Sequence, residues 1–206
     1  MLDRRDTGPK VHVELDLALA RKYSQPGPRY TSYPPATQFG QKLDLEALRA
    51  STVENNRTES DLSLYFHLPF CQSLCWFCGC TTVITREQSQ SALYLKYLAK
   101  ELNLIAPLLN PRRKVAQLHF GGGTPTFLLP DEIRKLGEVI HQRFRLEADM
   151  EAGVEIDPRD LTREHVEALR DIGFNRASIG VQDHNLAVQE AVHRIDRKST
   201  RLNSSH

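Results

Sequence analysis

Outside one short run the sequence has no cysteine: all four lie between Cys71 and Cys80 of a 206-residue chain. Their absence elsewhere argues against a disulfide framework, whose partners spread along the chain to close long loops. It also argues against thiols scattered through a core as small hydrophobes. A charge excess is lacking too. With 27 Lys and Arg against 26 Asp and Glu, there is no basic field to hold nucleic acid, and no basic stretch is interleaved with aromatics. No run of about 18 apolar residues occurs to suggest a membrane span. The polar, acid-containing start from Met1 to Lys10 does not read as a signal peptide. Clustered free thiols are therefore expected in a reducing compartment, the cytoplasm. The length suits one domain, and 40% hydrophobic residues suffice to bury a core.

What is present is concentrated in Cys71-Gln-Ser-Leu-Cys75-Trp-Phe-Cys78-Gly-Cys80. This spacing lets several thiolates converge on one centre, and soft sulfur ligands select zinc, copper(I) or iron-sulfur clusters. A closed zinc site usually joins two separated cysteine pairs, and no second pair exists here. His67, four residues before Cys71 in a strand-like stretch, is an awkward fourth donor. Iron-sulfur is therefore favoured over zinc, with a structural disulfide last.

Periodicity places this run at a strand end. Glu14 to Tyr23 and Leu43 to Ala50 read as short helices, the second with Asp44 as N-cap. Between them, Ser24 to Gln38 is a proline-rich arm carrying tyrosines and Arg29. Leu62 to Leu68, Val115 to Phe120, Glu151 to Ile156 and Asn175 to Val181 read as strands. Thr85 and Gln88 have capping-box spacing, opening a helix to about Ala106 with Tyr94, Leu98, Leu102 and Ile105 in its apolar stripe. Pro130 opens a helix facing inward through Ile133, Leu136, Ile140 and Phe144. Thr162 opens another, with Val166, Leu169 and Ile172 inward and Gly173 as its stop. Strands alternating with helices imply a parallel sheet with right-handed crossovers. The cysteine run, Gly121-Gly122-Gly123 and Glu155 all follow or end strands, where parallel barrels carry their catalytic groups. Taken singly each has a bland reading: the glycines a tight turn, Glu155 and Asp157 a solvated strand face. The glycines lack the lysine of a phosphate loop.

Cys71, Cys75 and Cys78, with Phe77 before the third, resemble the radical S-adenosylmethionine enzymes. In that superfamily three thiolates hold a 4Fe-4S cluster whose fourth iron binds S-adenosylmethionine. One electron then splits the sulfonium to give a 5'-deoxyadenosyl radical. Further motifs narrow the resemblance: Gly27-Pro28-Arg29-Tyr30-Thr31-Ser32-Tyr33-Pro34, Tyr65-Phe66-His67-Leu68-Pro69-Phe70, Cys80, Gly121 to Thr126, and Glu155-Ile156-Asp157-Pro158-Arg159. Together, from about Tyr23 to Arg194, they are similar to the oxygen-independent coproporphyrinogen III oxidases. The resemblance implies oxidative decarboxylation of two propionates of coproporphyrinogen III to vinyl groups, giving protoporphyrinogen IX in heme biosynthesis. It implies Cys71, Cys75 and Cys78 as cluster ligands, S-adenosylmethionine contacts at Gly122, Gly123, Thr124 and Glu155, and a cofactor contact at Tyr65. Phe77, Gln182 and Arg194 are implied in binding a second S-adenosylmethionine, and Arg29 in binding a substrate propionate. A flavodoxin or ferredoxin is implied as electron donor, and a monomer is expected. The rival reading is a heme-binding chaperone of the same lineage. Such relatives usually lack the Arg29 arm and carry an aromatic residue where Cys80 stands.

The expected fold is α/β, a partial parallel (β/α) barrel of the radical SAM type. Residues 1–60 read as an N-terminal arm, 61–196 as the core and 197–206 as a polar tail outside the resemblance. The superfamily barrel has more strands than the four read here, so an open sheet edge is expected, and turnover is not expected of this chain alone.

Overall fold

A computed structural model of the chain describes residues 16–24, 38, 40, 44–58 and 60–195. Arg29, with residues 25–37 of its arm, and everything after residue 195 lie outside the described residues. Backbone contacts divide the chain into units 1–44 and 45–206. The first unit contains helix α1 (Leu17–Tyr23). Asp16 starts it by accepting from the N–H groups of Ala18 at 2.9 Å and Leu19 at 3.0 Å, satisfying donors that a helix start leaves free.

The second unit runs α2 (Leu45–Asn55), β1 (Leu62–Leu68), β2 (Phe70–Cys71), β3 (Val83–Ile84) and α3 (Ser89–Ile105), then β4 (Lys114–Gly122) and α4 (Pro130–Arg143). It continues through β5 (Arg145–Ile156), α5 (Arg163–Asp171), β6 (Arg176–Ile179) and α6 (Leu186–Ala191). Four strands form a parallel sheet in the order β1-β4-β5-β6, while β2 and β3 make a separate two-stranded ladder. Because the strand order never reverses, each right-handed crossover lays its helix on the same face. That winding makes a partial (β/α) barrel rather than a doubly wound sheet.

Side-chain alternation follows from this one-sided cover. Phe66 and Leu68 of β1, Leu118 and Phe120 of β4, and Ala152, Val154 and Ile156 of β5 are buried in one core with Leu102, Ile133, Leu136, Ile140 and Leu169 of the helices. Each fully buried Leu, Ile or Phe contributes roughly 1.5–3 kcal/mol. The intervening residues Tyr65, His119, Glu151 and Glu155 stand on the other, open face, His119 half-buried and the other three exposed. All four residues of β6 are exposed, and among the described residues only β5 pairs with it.

Several local expectations need correction. Thr85 and Gln88 form no capping box: Thr85 Oγ1 accepts from Glu87 N, while Gln88 Nε2 donates to the Phe127 carbonyl and Glu132, so α3 starts only at Ser89. Ile105 and Val166 face solvent rather than the core. Strand β5 begins at Arg145, six residues before Glu151, because Lys114 pairs with Arg145 in the ladder and binds Glu147 by an ion pair. The charged sequence there hides a strand stabilised by its neighbour.

Two packing features are directly testable. A Cβ on Gly137 of α4 would overlap Ile172 Cγ2 and lie 2.7 Å from its Cβ, and Ile172 is buried and stiff at its first torsion. Gly137→Ala is expected to cost roughly 1–3 kcal/mol of overpacking, outweighing the roughly 1 kcal/mol gain in helix propensity, as read by urea denaturation. The second concerns His165, buried in α5. Its Nε2–H donates to the Leu128 carbonyl at 3.1 Å, while Nδ1 accepts from Thr162 N at 3.3 Å. This arrangement requires the neutral ring, and burial holds the imidazole pKa below its ordinary value. The unfolded chain therefore takes up the proton first, so stability fully present above about pH 6.5 is lost progressively as pH drops from there through the lower folded value. His165→Gln should flatten this part of the stability–pH curve.

Candidate active site

The cysteine loop is held at its base by the β2–β3 ladder, where Val83 N donates to the Pro69 carbonyl at 2.8 Å and Thr85 N to the Cys71 carbonyl at 2.9 Å. Between these points the loop has little apolar core of its own and depends on ties to other elements. Trp76 N donates to the Val192 carbonyl at 3.1 Å, and His193 Nδ1 lies 2.7 Å from the Leu74 carbonyl. The Trp76 ring stacks on His193. On the other side His67 Nε2 lies 2.9 Å from the Thr81 carbonyl. Cys75 is buried, Cys71 and Cys78 are half-buried, and Cys80 is exposed.

The glycine triplet answers a packing demand at each position. At Gly123 a Cβ would fall 2.7 Å from the backbone of Pro69 and Phe70. That contact is backbone on backbone, and only a glycine permits it. Across it Gly123 N donates to the Leu68 carbonyl at 2.9 Å and Thr124 N to the Phe70 carbonyl at 2.8 Å, extending the β1–β4 pairing past the strand ends to Cys71. Gly122, at φ +117°, has the His67 ring where its Cβ would stand. Gly121 faces Tyr65 and Glu155 in the same way. Thr124 Oγ1 lies 3.4 Å from Cys71 Sγ.

Glu155 accepts from Gly122 N at 3.3 Å and lies 3.5 Å from His119 Nε2, leaving it half-exposed at the mouth of the sheet. Tyr65 stacks on His119 and its hydroxyl is 3.2 Å from His67 Nδ1. Burial, then the charge of Glu155, pushes the Tyr65 hydroxyl pKa up. Two residues beyond Glu155, Asp157 is buried and ion-paired to Arg159 at 2.6 Å and Arg194 at 3.2 Å. Burial is also the main cause raising the Cys71 thiol pKa, with the neighbouring thiols adding to it and the Thr124 hydroxyl opposing.

These groups enclose a cavity of about 240 Å³ at the C-terminal ends of the strands. Cys71, Cys75 and Cys78 line it with Phe77, Gly122, Gly123, Thr124, Glu155, Gln182 and Arg194. Of the described residues to which the resemblance gives a cluster or cofactor role, only Tyr65 is not in the lining; it stands against Gly121. Gln182 has φ 71°, a left-handed backbone uncommon outside glycine and often found at functional sites. Sequence reading gave no role to Ser73, Asp157, Arg159 or Gly180, which also line the cavity. The signal for two of them was present: an acid and an arginine two residues apart, directly after the Glu155 strand.

The donor set fits an iron-sulfur cluster. Four soft sulfurs line one cavity, those of Cys71, Cys75 and Cys78 with the exposed Cys80 beside them, and Arg194 Nε is buried without a hydrogen-bond partner among the described residues, a donor left for an acceptor the protein does not supply. Among the described residues no three His, Cys, Asp or Glu are placed to share one metal ion. A cluster instead seats each thiolate on its own iron and needs donors that are spread apart.

A parallel β/α sheet wound in one direction, with a three-cysteine loop at its strand ends, defines the class of a radical enzyme core. The profile of the radical SAM superfamily matches residues 65–204, and the chain belongs to that superfamily. Membership brings a 4Fe-4S cluster and S-adenosylmethionine as cofactors. Among curated proteins the chain is 45% identical over 184 residues to an oxygen-independent coproporphyrinogen III oxidase of Helicobacter pylori, which covers 88% of this chain and 40% of that one. It is 44% identical to the protein of the same name from Escherichia coli, covering 88% and 39%. A solved structure of Escherichia coli coproporphyrinogen III oxidase, described as a radical SAM enzyme, superposes with TM-score 0.79 at 41% identity over 91% of this chain and 41% of that one. The chain thus spans about two fifths of the length of these relatives. No helix among the described residues is long and apolar enough to cross a membrane.

The Gly123 contact predicts a sharp sensitivity. Gly123→Ala must push the Pro69–Phe70 backbone away and with it the start of the cysteine loop, at a cost of roughly 1–3 kcal/mol. Iron uptake by the anaerobically reconstituted variant should fall well below wild type, whereas Gly79→Ala, where a Cβ meets open space, should load normally.

Proposed function

We propose that this chain carries the cofactor-binding part of an oxygen-independent coproporphyrinogen III oxidase. The observation that supports it most is the single cavity gathering Cys71, Cys75 and Cys78 with Gly122, Gly123, Thr124, Glu155, Gln182 and Arg194, from five separate stretches of sequence. The names of the relatives supply the substrate, coproporphyrinogen III. When bound, the cluster and S-adenosylmethionine supply an electron and a carbon-centred radical that removes hydrogen from the substrate propionates.

In this reading residues 61–196 are the core and 1–60 the arm. Cys71, Cys75 and Cys78 hold the cluster. Gly122, Gly123 and Thr124 present backbone groups to the methionine part of S-adenosylmethionine. Glu155, fixed by Gly122 N and His119, accepts hydrogen bonds from its ammonium group or ribose hydroxyls. Tyr65 closes the side of that pocket. Phe77, Gln182 and Arg194 take a second S-adenosylmethionine molecule, and Arg29 pairs with a substrate propionate, as guanidinium matches carboxylate geometry. A flavodoxin or ferredoxin delivers electrons to a monomer in the cytoplasm.

Anaerobic loading with iron and sulfide should give about four irons per chain, with a spectrum that changes on addition of S-adenosylmethionine. Cys75→Ser should abolish both. Zinc, or no metal in a folded sample, overturns the cluster assignment. Carried in a protein of its relatives' full length, the site should release carbon dioxide from coproporphyrinogen III; unaltered bound heme would instead overturn the oxidase reading.

A further inference from the structure

The charges behind Cys75 exceed what pairing alone requires. Asp157, 7% exposed, accepts on Oδ1 from Arg159 N at 3.1 Å and Nε at 3.0 Å. Its Oδ2 accepts from Arg159 Nη2 at 2.6 Å and Arg194 Nη1 at 3.2 Å. The carboxylate is satisfied by these donors, yet the Arg159 guanidinium also reaches into the cysteine loop. Its Nη1 donates to Ser73 Oγ at 3.2 Å, and its Nη2 lies 3.7 Å from Cys75 Sγ. Arg194 Nη1 approaches the same sulfur to 3.4 Å. Cys75 is the most enclosed of the four cysteines, so charges beside it are weakly screened. A buried ion pair adds little net stability over an apolar replacement. Folding alone therefore does not account for a fork that joins the end of β5 to the cysteine loop.

We propose that Asp157 and Arg159 form a positioning pair that holds the Cys75 sulfur from the protein side and sets the reduction potential of the cluster it ligates. The inference rests on the cluster reading given above. Reduction adds one electron from an external donor to the cluster, and the thiolates share the added negative charge. Hydrogen-bond donors and positive charge at a ligating sulfur stabilise the reduced form more than the oxidised one. Two guanidiniums against one carboxylate leave a net positive charge beside Cys75. Removing the Arg159 charge lowers the potential, and removing the Asp157 charge raises it. A residue that merely braces the loop gives no such opposition of sign.

The test is a redox titration of the whole chain, loaded anaerobically with iron and sulfide and reduced stepwise with dithionite in the presence of mediators. The potential is read from visible bleaching and electron paramagnetic resonance. Arg159→Leu should make reduction about tenfold less favourable, about 59 mV more negative for one electron. Asp157→Asn should shift it positively by a similar factor. Arg159→Lys keeps the charge but not the planar fork, and should fall between wild type and Arg159→Leu. A fully loaded Arg159→Leu protein at the wild-type potential overturns the proposal, as do shifts of the same sign in Arg159→Leu and Asp157→Asn. Should Arg159→Leu fail to fold, Arg159→Lys decides: a negative shift supports the proposal and a wild-type potential overturns it. Wild-type chain that takes up no iron overturns the cluster reading and this inference with it, a result distinct from a loaded protein whose potential does not move.

Discussion

The site depends on parallel pairing of β1 with β4 being carried past the ends of both strands. Leu68 and Gly122 are the last partners in the ladder, and the Gly123 and Thr124 amides continue it onto the Leu68 and Phe70 carbonyls. Backbone meets backbone there at a distance no side chain tolerates. Cys71 is thereby delivered to a fixed place beside Thr124, and every later tie of the loop starts from it. The helices contribute at a distance: Tyr94 of α3 donates its hydroxyl to the His67 carbonyl at 2.6 Å, holding the end of β1 from the core side.

From that anchor the loop is organised by polar contacts more than by burial. Hydrophobic packing is non-directional, and it would hold the loop against the sheet without fixing where each sulfur lies. Hydrogen bonds to Thr81, Leu74 and Trp76 backbone groups, and guanidiniums beside Cys75, are directional and define those places. The cost is a buried carboxylate with two arginines, a group that is expensive to desolvate and destructive to leave half-paired. Proteins commonly spend stability in this way at sites where atoms must be positioned.

One-directional winding explains why the open face of the sheet is polar. With α3, α4 and α5 packed on one side, the other carries Tyr65, His119, Glu151 and Glu155. In a closed or partly closed barrel this face looks inward, toward the cavity at the strand ends. Superfamily membership and the similarity to coproporphyrinogen III oxidases agree with this geometry, and the chain spans about two fifths of those relatives' length. The open polar face lies beside the cavity that holds the cysteine loop.

Much of this was legible in the residues. The bounds of β1 follow from its apolar run and Pro69, and the start of α4 follows from Pro130. The crowding of four cysteines identified sulfur-metal chemistry before any fold was known. These features are local: periodicity, proline geometry and ligand spacing act over a few residues. The early start of β5 was hidden because its charged segment is a strand only through pairing with Lys114 and Val115. The meaning of the glycine triplet was equally hidden, since it is a demand set by Pro69 and Phe70, more than fifty residues away. So was the Asp157–Arg159 pair, which in sequence reads as a solvated strand end and in the fold is buried against Cys75. Most elements and the donor chemistry can be read from neighbouring residues, because periodicity, proline geometry and ligand spacing are local. Which groups share the cavity and which charges are desolvated follow from packing alone, because distance and dielectric are properties of the folded chain.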